Sequence, residues 1–154
     1  MAELITRESV RWEFPGEAIA AGAIYWRPTG SRYICEPPVL DTDEDWIVYV
    51  SGMVEFAATL GKAVPGFEEG ESCCDCPDFV SIRLPGNINL IATDKHWFYR
   101  KYVIATEVAK RLNLRAKCDR ILLFDSVIFG SKTSKWKSEP VPADLPDKEV
   151  AWLS

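Results

Sequence analysis

Apolar residues along the chain fall into two recurrent patterns, short runs of β-formers and stretches at helical spacing. Met1 to Glu13 alternates in part between polar and apolar, as in Ser9-Val10-Arg11-Trp12-Glu13-Phe14, and reads as an edge strand or a loosely docked arm, ended by Pro15-Gly16. Glu17 to Ala23 is Ala-rich and predicts a helix, with Pro15 near its start and Gly22 near its end. Ala23-Ile24-Tyr25-Trp26-Arg27 predicts the first strand. Residues Arg32 to Leu40 predict an extended connection, because Pro37-Pro38 disfavours helix before it. Asp45 to Val50 predicts a central strand, since Ile47-Val48-Tyr49-Val50 is an unbroken apolar run. Ser51 suits the N-cap of a following helix whose Met53, Phe56, Ala57 and Leu60 repeat at helical spacing. Gly61 or Pro65-Gly66 closes that helix.

Phe67 to Asp78 predicts an acidic loop. Phe79-Val80-Ser81-Ile82-Arg83-Leu84 and Ile88-Asn89-Leu90-Ile91-Ala92-Thr93 flank Pro85-Gly86-Asn87, the signature of a hairpin. Lys95 to Asn113 predicts a long helix with Phe98, Tyr102, Ala105, Ala109 and Leu112 on its inner face and Asn113 as its terminator. A second helix is predicted from Asp119 to Phe129, apolar through Ile121, Leu122, Phe124, Val127 and Ile128 and ended by Gly130. Residues 131–154 are rich in Lys, Ser, Pro and acids. They read as a tail that docks through Trp136 or Trp152 or is partly disordered. The expected organisation is one α/β (α+β) domain over residues 1–130, followed by that tail.

Composition narrows the class. A chain of 154 residues with 47% hydrophobic content can build a real core. The net charge of -5 does not advertise sequence-independent nucleic-acid binding, although a local basic cleft remains open. No run of about 20 apolar residues is present, so no transmembrane helix is expected. The early acids of Met1 to Glu8 leave no apolar export signal, and five Cys then read as reduced thiols in a cytosol. Cys73-Cys74-Asp75-Cys76 raises structural zinc. The spacing lacks the second ligand pair of a standard finger, and Cys35, Cys118 and the lone His96 lie far away. His96 reads as structural or exposed, and Trp26, Trp46 and Trp97 as core or rim packing.

The candidate chemistry lies between residues 28 and 50. Asp43 and Asp45, two residues apart at a strand start, would point to one face. Like charges that close favour a cation between them, and paired carboxylates suit a hard ion such as Mg²⁺ or Mn²⁺. Gly30 allows close approach of backbone to a ligand, and the Ser31 hydroxyl can donate to anionic oxygens. Arg32 follows the turn and either reaches a phosphate or pairs with Asp41 or Glu36. A basic run of Lys95, Arg100, Lys101, Lys110, Arg111, Arg115, Lys117 and Arg120 stands out in an acidic chain. Lys101, together with Arg83, is the candidate there for phosphate binding.

Thr29-Gly30-Ser31, a gap, and Asp43-Glu44-Asp45-Trp46 leading into a strand resemble the motif of the DNA polymerase β-type nucleotidyltransferase superfamily. The runs from Gly86 to Asp94, from Ala105 to Leu114 and from Lys117 to Arg120 look like small nucleotidyltransferase-like proteins encoded by phages. The resemblance covers roughly residues 16 to 130 and implies the minimal nucleotidyltransferase fold, a mixed β-sheet flanked by helices. It implies transfer of a nucleotide from a nucleoside triphosphate to an unknown acceptor. Asp43 and Asp45 would be metal ligands, with Gly30 and Ser31 on the β- and γ-phosphates. The superfamily's third carboxylate falls at Asn89, a neutral amide, with Asp94 five residues later as the substitute. The alternative it leaves open is a degenerate fold that binds a nucleotide or a host protein as a phage regulator or inhibitor. A short chain also implies a partner or a homodimer to supply the acceptor site, in a host cytosol and with no membrane.

Overall fold

The apolar run Ile47-Val48-Tyr49-Val50 lies buried at the heart of a mixed sheet. The structure, a computed structural model, describes residues 6, 10, 12–40, 42–69 and 78–130. The element order is α1 (Gly16–Ala20), β1 (Ala23–Thr29), α2 (Ser31–Ile34), β2 (Glu44–Val50), α3 (Met53–Ala63), β3 (Glu68–Glu69), β4 (Val80–Leu84), β5 (Ile88–Thr93), α4 (His96–Arg111) and α5 (Lys117–Phe129). The sheet runs β1-β2-β5-β4-β3. β2 and β5 are parallel and the other pairings antiparallel, so the sheet is mixed and the domain is of the α/β (α+β) class.

The period of 2 along each strand sorts its residues between two helical layers. Trp46, Val48, Val50, Ile82, Leu84, Leu90 and Ala92 face one side, against Ala18 of α1 and Phe56, Ala57 and Leu60 of α3. Ile47 and Tyr49 face the other side, against Phe98, Tyr99 and Val103 of α4 and Ile128 of α5. Leu60, Ile82 and Leu90 are fully buried. Each such side chain contributes roughly 1.5–3 kcal/mol. A third cluster of Ile34, Cys35, Val108, Ala109 and Leu123 fastens α2 to α4 and α5.

Several local expectations resolve differently. β1 extends to Thr29 and includes Pro28, which an edge strand tolerates because its missing N–H faces no partner strand. The connection after Gly30 begins with the short helix α2 instead of running extended throughout, because Ile34 is drawn into the core. Gly52, not Ser51, occupies the N-cap of α3, without a side-chain cap. Asp94 Oδ2 instead accepts from Met53 N–H at 3.3 Å. Leu112, Ile121 and Leu122 are exposed, and α5 buries Leu123, Ser126 and Ile128. α5 turns Leu123 inward against Ile34, Val108 and Ala109 and carries Leu122 out on the adjoining face.

Asn113 (φ 50) and Gly130 (φ 69) end α4 and α5 as the sequence predicts. Trp12 and Phe14 dock as an arm: Phe14 stacks on Trp26 at 4.6 Å, and Trp12 meets Trp46 edge-on at 5.4 Å. Most of the segment before Trp12, the cluster at Cys73, Cys74 and Cys76, and the tail 131–154 lie outside the described residues. Among the described residues no helix is long and apolar enough to cross a membrane.

Candidate functional site

One row across the α4-side face of the sheet is polar on every strand. Thr29, Asp45, Asn89 and Arg83 stand in register on β1, β2, β5 and β4. Residues in register project to one face, so four strands deliver one polar side chain each to the same edge. Thr29 and Asp45 of this row, the Gly30 turn, α4 and α5 line a cleft of about 550 Å³. Gly30, Ser31, Asp43 and Asp45 all line it.

Thr29 is buried, and its Oγ1 lies 2.7 Å from Thr106 Oγ1 of α4. Thr106 gives its own proton to Tyr102 O at 2.9 Å, so Thr29 is the donor in that pair. This bond pins the end of β1 and fixes where the turn begins. Gly30 follows with φ 79 and ψ 178, a conformation essentially reserved to glycine. A Cβ there would lie 2.1 Å from Asp45 Oδ2. The turn and the carboxylate are thus in direct contact although 15 residues apart. Ser31 Oγ donates to Thr42 Oγ1 at 3.2 Å, which ties the start of α2 to the residue before Asp43.

Each carboxylate is held by one oxygen. Arg83 Nη1 lies 3.0 Å from Asp43 Oδ2. Asn89 Nδ2 donates to Asp45 Oδ1 at 3.0 Å, and Ser81 Oγ donates to Asn89 Oδ1 at 2.9 Å. An ionised carboxylate only accepts, so the amide must turn its NH₂ to Asp45, and Ser81 holds it so. Burial, reinforced by the charge of Asp43, pushes Asp45 up from 3.8 to about 6, against the opposing effect of the Asn89 hydrogen bond and of Arg32 and Arg83.

The donor set fits one hard cation better than two. Two carboxylates side by side, one of them ionising reluctantly, are what a divalent ion relieves. The third position in the row is an amide already spent on Asp45 and Ser81. No group of three His, Cys, Asp or Glu side chains among the described residues is placed to hold a metal.

The other sequence candidates go elsewhere. Arg32 Nη2 donates to the backbone carbonyls of Leu40 and Thr42 and does not line the cleft, while Asp41, one of its predicted partners, lies outside the described residues. Lys101 lies over the Trp97 ring, 5.9 Å from its centroid, and does not line the cleft. Asp94 caps α3 beyond Thr93, which pairs with Tyr49, whereas Asn89 pairs with Asp45. Five residue steps, about 16 Å at the strand rise, therefore separate Asp94 from Asn89 and the pair. His96 is exposed and meets the Tyr49 ring edge-on at 4.7 Å.

Sequence reasoning did not single out the opposite wall. Phe79, Phe98, Tyr102, Phe124 and Phe129 line the cleft with Lys117, Arg120 and Asp125. Arg120 Nη1 is occupied by the carbonyls of Leu114 (3.0 Å) and Arg115 (2.7 Å), whereas Lys117 is exposed at the rim. The available signal was the apolar breadth of the second helix, wider than one core-facing stripe requires. Compared with protein-family models, curated proteins and solved structures, the chain finds no match in any of the three.

Proposed function

We propose that the chain is a nucleotidyltransferase-like protein that binds a nucleoside triphosphate with Mg²⁺ or Mn²⁺ and passes the nucleotide to an acceptor hydroxyl. The observation that carries this reading is the contact of Gly30 with Asp45, which sets a ligand-approaching turn directly beside a paired carboxylate. The mixed sheet flanked by helices and the position of Asn89 beside Asp45 agree with the layout that the motif resemblance implies.

Asp43 and Asp45 would hold the cation. When bound, it supplies neutralising charge to the phosphates and polarises the attacking oxygen. Arg83 and Asn89 aim the two carboxylates, so their free oxygens need little reordering when the ligand arrives. Gly30 lets the turn pack directly against the Asp45 carboxylate at the cleft wall, and Lys117 adds a positive charge at the rim. In the transfer, the acceptor hydroxyl gives its proton to solvent as its oxygen bonds to the α-phosphorus, the bond to the bridging oxygen breaks and pyrophosphate leaves. A partner or a second copy of the chain supplies the acceptor-binding site, in a cytosolic setting.

One observation favours a second reading, a nucleotide binder or host-protein regulator without turnover. Asn89 leaves the row one carboxylate short. Incubation with each α-labelled nucleoside triphosphate, Mg²⁺ or Mn²⁺ and cell extract separates the two. Transfer of label that disappears in Asp43→Asn/Asp45→Asn is the expected result. Absence of transfer from folded protein that still binds nucleotide would leave the binder.

A further inference from the structure

We infer that the cleft accepts nucleoside triphosphates with little regard to the base, holding the base by ring contact alone; this rests on the nucleotide reading above. On the strand side the cleft is lined by Gly30, Ser31, Asp43 and Asp45. From there a series of rings leads away. Tyr102 meets Phe124 edge-on at 4.9 Å and Phe98 at 5.8 Å, and Phe98 stacks on Phe79 at 5.4 Å. Phe129 stands on the facing helix, 56% exposed, and lines the same cleft.

A ligand that fits this division has an anionic, cation-binding end and a planar apolar end. A nucleoside triphosphate has both. At about 550 Å³ the cleft is in the range of small-molecule sites.

Base selectivity needs fixed donors and acceptors opposite the base edge, because unpaired buried polar groups are what reject the wrong partner. The ring-lined end has few. Arg120 is held through its Nη1 on backbone carbonyls, the Tyr102 hydroxyl is bonded to Thr29, and Lys117 and Asp125 are exposed at the rim, where water substitutes for either partner. Every base has a π-face, so stacking tolerates all four.

The test is calorimetric titration of the whole chain with Mg²⁺ and ATP, GTP, CTP, UTP or inorganic tripolyphosphate. The four nucleotides should bind within about threefold of one another, and at least about tenfold more tightly than tripolyphosphate. Phe129→Ala, at an exposed position, should weaken all four by about tenfold and leave tripolyphosphate unchanged. Phe124→Leu, which keeps apolar volume and removes the ring, should act in the same direction. One nucleotide preferred by more than about tenfold, nucleotides bound no better than tripolyphosphate, or ring variants without effect would overturn the inference and leave the cation–phosphate reading standing. Binding of none of the five ligands would remove both.

Discussion

A methyl group on Gly30 would lie 2.1 Å from Asp45 Oδ2 and 2.9 Å from Asp45 Cβ, so rotation of the carboxylate alone does not make room. Its φ of 79 with ψ of 178 adds backbone strain of about 1–3 kcal/mol for any other residue. Gly30→Ala should therefore lower stability by at least that amount in urea unfolding and displace Asp45, with loss of cation-dependent nucleotide binding. Asp45 makes a prediction of opposite sign. Its carboxyl is raised from 3.8 to about 6, first by burial and then by Asp43. The folded state thus holds a proton that the unfolded chain has released between about pH 4 and pH 6, and stability falls as pH rises through that window. The corresponding cost of the ionised form at neutral pH is roughly 3 kcal/mol. Asp45→Asn should unfold at higher urea than the parent at pH 7.5 without added metal, and flatten the fall between pH 4 and pH 6. A parent more stable at pH 7.5 than the variant would contradict this account of Asp45.

At the scale of elements, the strands were the most legible part of the chain. Ile47-Val48-Tyr49-Val50 marked the central strand, and Pro85-Gly86-Asn87 marked the turn between β4 and β5. Asp43 and Asp45 were legible as a pair because strand periodicity alone sends both to one face. The destinations of Arg32, Arg83 and Lys101 were not. Long side chains settle on whatever carbonyl, carboxylate or ring tertiary packing brings near: Leu40 and Thr42, Asp43, and Trp97. The cap of α3 was hidden for the same reason, since Asp94 is 41 residues from Met53 in sequence. The aromatic wall was hidden because Phe98, Tyr102 and Phe124 satisfy helical core spacing whether or not a cleft lies beside them. Asp94→Ala should cost about 1 kcal/mol, as other lost helix caps do. It should leave nucleotide affinity unchanged, whereas a third metal ligand would reduce affinity sharply on the same substitution.

At the scale of the whole molecule, the fold separates support from chemistry. The face toward α1 and α3 is apolar and closed around Leu60, Ile82 and Leu90. The face toward α4 and α5 is apolar near Tyr49 and opens into the cleft beside Asp45. The central claim is that Asp43 and Asp45, aimed by Arg83 and Asn89 and touched by Gly30, form a cation-dependent nucleotide site. The most direct measurement is the affinity of the chain for nucleoside triphosphate with and without Mg²⁺, beside Asp43→Asn/Asp45→Asn verified as folded by circular dichroism. The account predicts binding that requires the cation and is lost in the double variant. Binding that is indifferent to the cation and to both substitutions, or no binding by the folded parent, would contradict it.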